Sequence, residues 1–469
     1  MSTVAAHGIE RARVRVRTGA EANRTLWVAA SGTLLVLAVF SAVVTTVGDS
    51  LRSLHGGVAS QTWTLSGMSL GLAVALLTVG ALADAFGRRR VLVIAGAALA
   101  ITSALGAVAP TMGVLVAARI LQGAAGAGVL AGSLGAIGDA FPAGHRRAVA
   151  ASVWGSALGA GIAIGPLAAG ALAAWLGWRS SFWLEAIAAA ALVPAAASIE
   201  ESRAETRRTL DLTGAGALAV AMAGLTAGLI EGRQSWSAPG TVIPLAGGVI
   251  FLGVFVAIEL RKREPLIELA RFRNPLFVAS LTGALFTGLA VIGLMSFTPL
   301  LLQRGLHVSV FGSAAVLAAW SGTSVAVALA TRGLVGRRSA AAVVVLGFAV
   351  SAAGEFALAG LGVGSSWTRL LPGLVILGVG SGLVNASLGR LALESVPRDR
   401  AGMGSGANNT ARYLGGAAGV ALVVALATSG GAGAAGLLAG WNTAVVVCGA
   451  LCIVAAVIAA ACRAATPGT

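Results

Sequence analysis

The sequence predicts an all-α polytopic membrane protein, and three observations carry that expectation. Only 10% of the 469 residues are charged and 57% are hydrophobic, whereas roughly a quarter of an ordinary soluble domain is charged. The mean hydropathy is +0.91. Apolar runs of about 20 residues, the length that crosses a bilayer as a helix, recur about fourteen times. Polar surface this scarce cannot cover a globule in water, so the bilayer is the solvent.

The first six runs fall at 26–47, 61–83, 91–109, 112–137, 149–174 and 181–198. Two more lie at 212–231 and 241–260, and six follow at 277–302, 309–331, 340–361, 367–392, 403–427 and 441–462. The expected organisation is a basic tail over 1–25, a six-helix bundle over 26–198 and a linker with two extra spans over 199–276. A second six-helix bundle follows over 277–462, with a tail over 463–469. Within the linker, 259–276 mixes charges and is expected as a short amphipathic interfacial segment. Gly87-Arg88-Arg89 follows the second span and Gly336-Arg337-Arg338 the second span of the later set, an echo expected of two related halves. Glycine is abundant at 66 residues, which suits helices packing backbone to backbone in lipid.

The net charge of +15 does not indicate a nucleic-acid partner, because the arginines sit in short clusters between apolar runs without interleaved aromatics. Sides alternating from a cytoplasmic N-terminus place 25 of the 32 basic residues in cytoplasmic segments, five outside and two, Arg119 and Arg412, within spans. That bias is the positive-inside pattern and puts both termini in the cytoplasm. His7, His55, His145 and His307 are scattered, and no nucleophile–base or metal-ligand constellation is visible, so an enzyme is not expected. Cys448, Cys452 and Cys462 share the last apolar run and read as buried thiols.

Four motifs carry mechanism. The loop from Gly80 through Asp84 and Gly87 to Arg88 and Arg89 combines glycines for close approach and a tight turn with an acid at a helix C-terminal end. An acid there is unfavourable unless cations or a helix N-terminus offset it, so the loop reads as a latch. Arg119, followed by Gln122 and Gly123, lies inside a span, where an arginine costs roughly 2.5–3.5 kcal/mol and needs a partner or a watery cavity. The fifth span holds Gly159, Gly161, Gly165, Pro166 and Gly170, a small-residue face with a kink. A late segment runs from Pro397 through Asn408, Asn409 and Arg412 to Gly415.

Together these resemble the major facilitator superfamily, and the two inserted spans narrow the resemblance to its fourteen-spanner drug:proton antiporters. The likeness extends over essentially the whole chain. It implies two six-helix bundles rocking about a midplane site, a cytoplasmic latch, an arginine tied to proton coupling and an "antiporter" helix typical of exporters. The expected function is secondary-active efflux of small amphipathic, drug-like or antibiotic-like compounds across a bacterial inner membrane. No cofactor is expected, since the proton gradient supplies the energy, and the expected partners are the substrate and lipid around a monomer.

The sequence departs from that family at one point. Members carry an acid within helix one, where this chain has Ser41. The remaining coupling candidates are Asp49 at the outer end of the first span, Glu185 in the sixth and Glu355 in the eleventh. In the family's arrangement the last two lie on peripheral helices. Candidate substrate contacts are Ser41, Thr45, Gln122, Trp154, Asn385, Asn408, Asn409 and Arg412, an inventory that leans neutral or basic and favours a neutral or anionic substrate. The missing acid keeps two alternatives open: an uncoupled or differently coupled exporter of a specific metabolite, and a transport-inactive membrane sensor.

Overall fold

The computed structural model describes residues 19–141, 145–203, 211–232, 237–262, 265, 269–331, 339–396, 401–431 and 433–465. Every regular element among them is helical. The first half comprises α1 (Gly19–Ser53), α2 (Val58–Phe86), α3 (Arg88–Ala107), α4 (Met112–Ala140), α5 (His145–Leu176) and α6 (Arg179–Ala197). A hairpin follows, α7 (Leu212–Glu231) and α8 (Pro239–Arg261). The second half comprises α9 (Pro275–Gly305), α10 (Val310–Ala330), α11 (Ala340–Ala357), α12 (Leu370–Glu394), α13 (Ala401–Thr428) and α14 (Gly433–Ala464). Thirteen of these are long and apolar enough to cross a bilayer, and the apolar core of α7, Thr213–Leu229, is the shorter fourteenth.

Local chemistry sets the helix ends. Side chains of Thr111, Asp211, Asn274, Ser309 and Ser339 accept from the first free backbone N–H groups of α4, α7, α9, α10 and α11. Helices α2 and α3 meet at Gly87, whose φ of +117° is accessible to glycine and strained for other residues. Helix α1 begins at Gly19 and α14 at Gly433, both earlier than the apolar runs. The backbone hydrogen-bond ladder does not need apolar side chains, so hydropathy finds only the membrane-embedded middle of a helix. Within 259–276 the structure places a short 3₁₀ turn, Leu269–Arg273, whose Phe272 meets Phe277 edge to face at 5.5 Å.

The two halves pair their helices alike. In the first, α1 packs on α4, α5 and α6, α2 on α4, and α3 on α4 and α6. In the second, α9 packs on α12, α13 and α14, α10 on α12, and α11 on α12 and α14. This is the same plan eight helices later, so the repeat is present in packing; Gly336-Arg337-Arg338 itself lies outside the described residues. The halves meet along a seam where α2 faces α13, α5 faces α10 and α1 faces α9, as a two-fold axis between them requires. The hairpin leans on that seam, with Leu218 and Met222 of α7 in one apolar cluster with Leu70 and Leu77 of α2 and Leu414 of α13. Helix α8 packs on α7, and only 17% of its apolar window is buried against 72% for α1, so α8 is the lipid-facing element.

Candidate functional site

Helix α4 carries Arg119 into the middle of the first half, where it is 0% exposed. Its guanidinium donates to the carbonyls of Val39 (3.0 Å) and Phe40 (3.2 Å) on α1, to Thr64 O on α2 (3.5 Å) and to Gln122 Oε1 (2.9 Å). Gln122, one turn on, donates from Nε2 to Ser103 Oγ on α3 (2.8 Å) and to Glu185 Oε2 on α6 (3.1 Å). Carboxylate, amide and guanidinium thus form one chain of hydrogen bonds from α6 to α1, with Gln122 standing between the two charges. Fixed donors of this kind are what make a buried charge tolerable. Glu185, expected on a peripheral helix away from the working centre, is therefore joined to Arg119 through one side chain.

Helix α5 uses two faces of its glycine pattern. A Cβ at Gly161 would collide with the Leu34 carbonyl, and one at Gly165 with the Ala38 carbonyl and the Ser41 hydroxyl, so these two glycines seat α5 on α1. Gly159 and Gly170 face the other half, against Val325 and Ala314 of α10. Ser41 is buried in the α1–α5 contact and donates to Leu37 O (2.9 Å) and Gly161 O (3.4 Å). Its hydroxyl is thus engaged with backbone and is not presented to open space, as a substrate contact would require. Thr45 donates to Ala42 O (3.0 Å) and to the carbonyl of Pro166 (3.4 Å). Trp154 packs among the apolar side chains of the first half, and its indole N–H has no partner among the described residues.

In the second half, Asn408 is buried and donates to the carbonyl and hydroxyl of Ser280 on α9, both at 2.9 Å. Arg412 donates to Asn385 Oδ1 on α12 at 3.3 Å, and its Nε has no partner among the described residues. Asn409 lies beside them on α13, half-buried. The structure therefore brings Arg412 and Asn385 together, commits Asn408 to α9 and commits Gln122 to the Arg119 network. Tyr413, the chain's one tyrosine, packs from α13 across the seam onto Phe40, ring centroids 6.0 Å apart.

At the α2–α3 turn, an acid that the motif does not contain occupies the latch. Glu201, in the α6–α7 connection, accepts from the backbone N–H of Arg89 (3.0 Å) and lies 3.9 Å from the Arg89 guanidinium and 3.7 Å from that of Arg90. The Arg88 N–H donates to Ser202 O at 2.9 Å. A Cβ on Gly87 would stand 2.5 Å from Glu201 Oε1, so the glycine makes room for the carboxylate as well as for the turn. Gly80 differs: among the described residues a Cβ there meets only Ala131, at 3.9 Å, an ordinary contact and not the expected close approach. The Arg88 side chain runs beside Gly135 of α4. The side chain of Asp84 lies outside the described residues.

Two acids remain. Asp49 pairs with Arg52 one turn along α1, in a contact open to solvent. Glu355 is 0% exposed on α11, and the group its carboxyl meets is the Cys452 thiol of α14, a weak donor. Sequence reasoning missed Ser103, Glu201 and Tyr413. Ser103 has no sequence signal, Glu201 becomes relevant only once the topology brings it to the arginines, and Tyr413 was marked only by its rarity.

Two six-helix halves meeting along a seam, with a charged network buried inside one of them, define a multi-pass membrane protein of the transporter class. The chain belongs to the Major Facilitator Superfamily, whose family model matches residues 29–420. It is 31% identical to the multidrug resistance protein Stp of Mycobacterium tuberculosis, across 86% of this chain and 76% of that protein. It is 33% identical to a probable actinorhodin transporter of Streptomyces coelicolor, across 79% of this chain and 66% of that protein. Among solved structures, the human organic anion transporter MFSD10 shares the fold with a TM-score of 0.62 at 18% identity, across 93% of this chain and 99% of that one.

Proposed function

We propose that this chain is a secondary-active efflux transporter that exports small amphipathic organic compounds from a bacterial cell by proton antiport. What supports export of drug-like molecules is the likeness, over most of the chain, to proteins described as a multidrug resistance protein, a probable actinorhodin transporter and a tetracenomycin C resistance and export protein. The arginine asymmetry supports an inner-membrane orientation with both ends of the chain in the cytoplasm. The protein works as a monomer in lipid without cofactor, catalysis or nucleic acid, and the halves rock about the seam so that the site opens to one face at a time.

The coupling argument rests on the Arg119–Gln122–Glu185 chain. A proton arriving at Glu185 changes the acceptor that Gln122 faces, and Gln122 passes that change to the guanidinium that holds the carbonyls of α1. Helix α1 is also the element seated on the glycine face of α5, so a proton on α6 is linked to the helix pair at the seam. A second reading, an exporter without proton coupling, is favoured by the Ser41 hydroxyl, which occupies the family's helix-one acid position and is spent on backbone carbonyls. Transport of a panel of amphipathic antibiotics into inside-out vesicles, with and without an imposed pH gradient, separates the two. Uptake that collapses with the gradient, and loses its gradient dependence in Glu185→Gln, is the expected result; uptake indifferent to the gradient gives the second reading.

A further inference from the structure

Gln303 lies near the end of α9, on the face of the molecule where α1 ends at Ser53. Its amide nitrogen donates to Thr45 O on α1 (3.0 Å) and to Ser313 Oγ on α10 (3.0 Å). An amide NH₂ has two protons, so both are committed, one to each half. Space for the side chain is provided by Gly48: a Cβ there would sit 3.3 Å from Gln303 Oε1. The acceptor is also no ordinary residue of α1. Thr45 uses its hydroxyl to hold the Pro166 carbonyl of α5, so the main chain bonded by Gln303 is the turn of α1 fixed to the proline of the glycine-rich helix. The seam contacts around it, Gly170 on Ala314 and Gly48 on Leu300, are apolar.

The pseudo-symmetry shows that this arrangement is one-sided. Gly161 and Gly165 approach the carbonyls of Leu34 and Ala38, as Gly415 and Gly419 approach those of Leu285 and Leu289. Gln303 is 18 residues beyond Leu285, and because a π-helical stretch, Thr287–Ile292, adds about one residue to α9, the matching place beyond Leu34 on α1 is the apolar Leu51 or Arg52. Arg52 pairs with Asp49 on its own helix and does not cross the seam in that pairing.

We propose that Gln303 is the tie that holds the Ser53 face of the seam closed: it bonds α1 to α9 and α10 in this state, and opening toward that face breaks its bond to Thr45. Gln303 is a positioning residue, acting on the balance between the two states. The proposal rests on the two-state reading of the seam, and its test reads conformation without substrate or proton, so it stands or fails separately from the coupling argument.

The test uses cysteine pairs across the seam in a full-length background carrying Cys448→Ala, Cys452→Ala and Cys462→Ala. Gly170→Cys with Ala314→Cys reports the Ser53 face, since a Cβ at Gly170 lies 3.4 Å from Ala314 Cβ, close to the separation a disulfide needs. Leu77→Cys with Gly406→Cys reports the opposite face, where Gly406 meets Leu77. Copper-phenanthroline cross-linking in vesicles is compared for Gln303, the near-isosteric Gln303→Met, and Gln303→Glu, which retains acceptors and loses both donors. In both variants the expected result is at least a twofold fall in Gly170–Ala314 cross-linking with no fall at Leu77–Gly406, a pair already in contact in this state. Unchanged yields at both pairs would overturn the proposal. A fall at both would overturn it as well, because that is general loosening and not release of a tie.

Discussion

Glu185 in the first half and Glu355 in the second are both carboxylates buried inside a six-helix bundle, and their surroundings are opposite. Glu185 accepts from Gln122, which accepts from Arg119. Among the described residues Glu355 is offered no donor stronger than the Cys452 thiol. The two-fold repeat locates the difference in α4 and α12. Gly123 stands against the backbone of α2 at Met68, as Gly378 stands against that of α10 at Trp320. Counted from these glycines, Arg119 and Gln122, four and one residues earlier, correspond to Leu374 and Leu377, both fully buried. The same packing position thus holds a guanidinium and an amide in one half and two leucines in the other. A buried charge without hydrogen-bond partners is destabilising by several kcal/mol. At this packing position, therefore, the first half is built to keep a charge inside and the second is apolar.

The most direct way to break this contrast is Arg119→Leu, which gives the first half the apolar side chain of the second. It strands Glu185 and Gln122 and leaves α1 carbonyls that had a charged donor. Removing one partner of such a network costs about 3–5 kcal/mol. Export in vesicles should fall more than tenfold, with a lower unfolding temperature for the purified protein. Arg119→Lys should recover little, since an ammonium cannot reproduce the guanidinium fork that reaches both α1 carbonyls and Gln122. If Arg119→Leu exports like the parent, the network has no role in transport.

Much of the fold was legible because lipid enforces simple rules. Fourteen apolar runs, arginine asymmetry and the glycines of the fifth span are all one-dimensional signals, and α1 to α14 follow them. The site was legible residue by residue but not as an assembly. Arg119 and Gln122 stood out, yet nothing in the spacing says that residues 103 and 185 converge on Gln122, because that depends on how α3 and α6 pack on α4. Ser41 shows the limit from the other side. Its sequence position implied a substrate contact, and only the α5 glycines, which bring the Gly161 carbonyl to its hydroxyl, reveal that it faces a neighbour. Gly80 was read as a close-approach residue on motif spacing alone, whereas the space beside it is ordinary.

Glu355→Leu sharpens the contrast from the second half. A buried carboxyl whose one donor is a thiol recovers little of its desolvation cost, so an apolar replacement of similar size should stabilise the protein by about 1–2 kcal/mol. Export should stay within twofold of the parent, measured beside thermal unfolding in detergent. The outcome that would count against the contrast is a loss of gradient-driven uptake in Glu355→Gln, which would give the second half a working acid despite its apolar surroundings.

The smallest effect belongs to a charge pair at the edge of the insert. Asp211 caps α7 through Gly214 N–H and pairs with Lys262 at the end of α8. Burial pushes its carboxyl up, but the Lys262 ammonium, the Gly214 N–H and the Thr213 hydroxyl more than offset this and hold it below the ordinary aspartate value. A depressed acid stabilises the fold above its unfolded pKa of roughly 3.9, and that contribution is lost as pH falls through the lower folded value. Asp211→Asn retains a cap of similar quality and loses only the pairing. Because Lys262 is 35% exposed, water screens the pair, and the expected cost at neutral pH is about 1 kcal/mol or less. Unfolding temperatures of parent and variant should converge as the pH is lowered below about 4. A gap that widened on acidification would mean that the ion pair is not what Asp211 supplies. A gap as large as that of Arg119→Leu would mean that the insert, and not the first half alone, depends on a charge kept out of water.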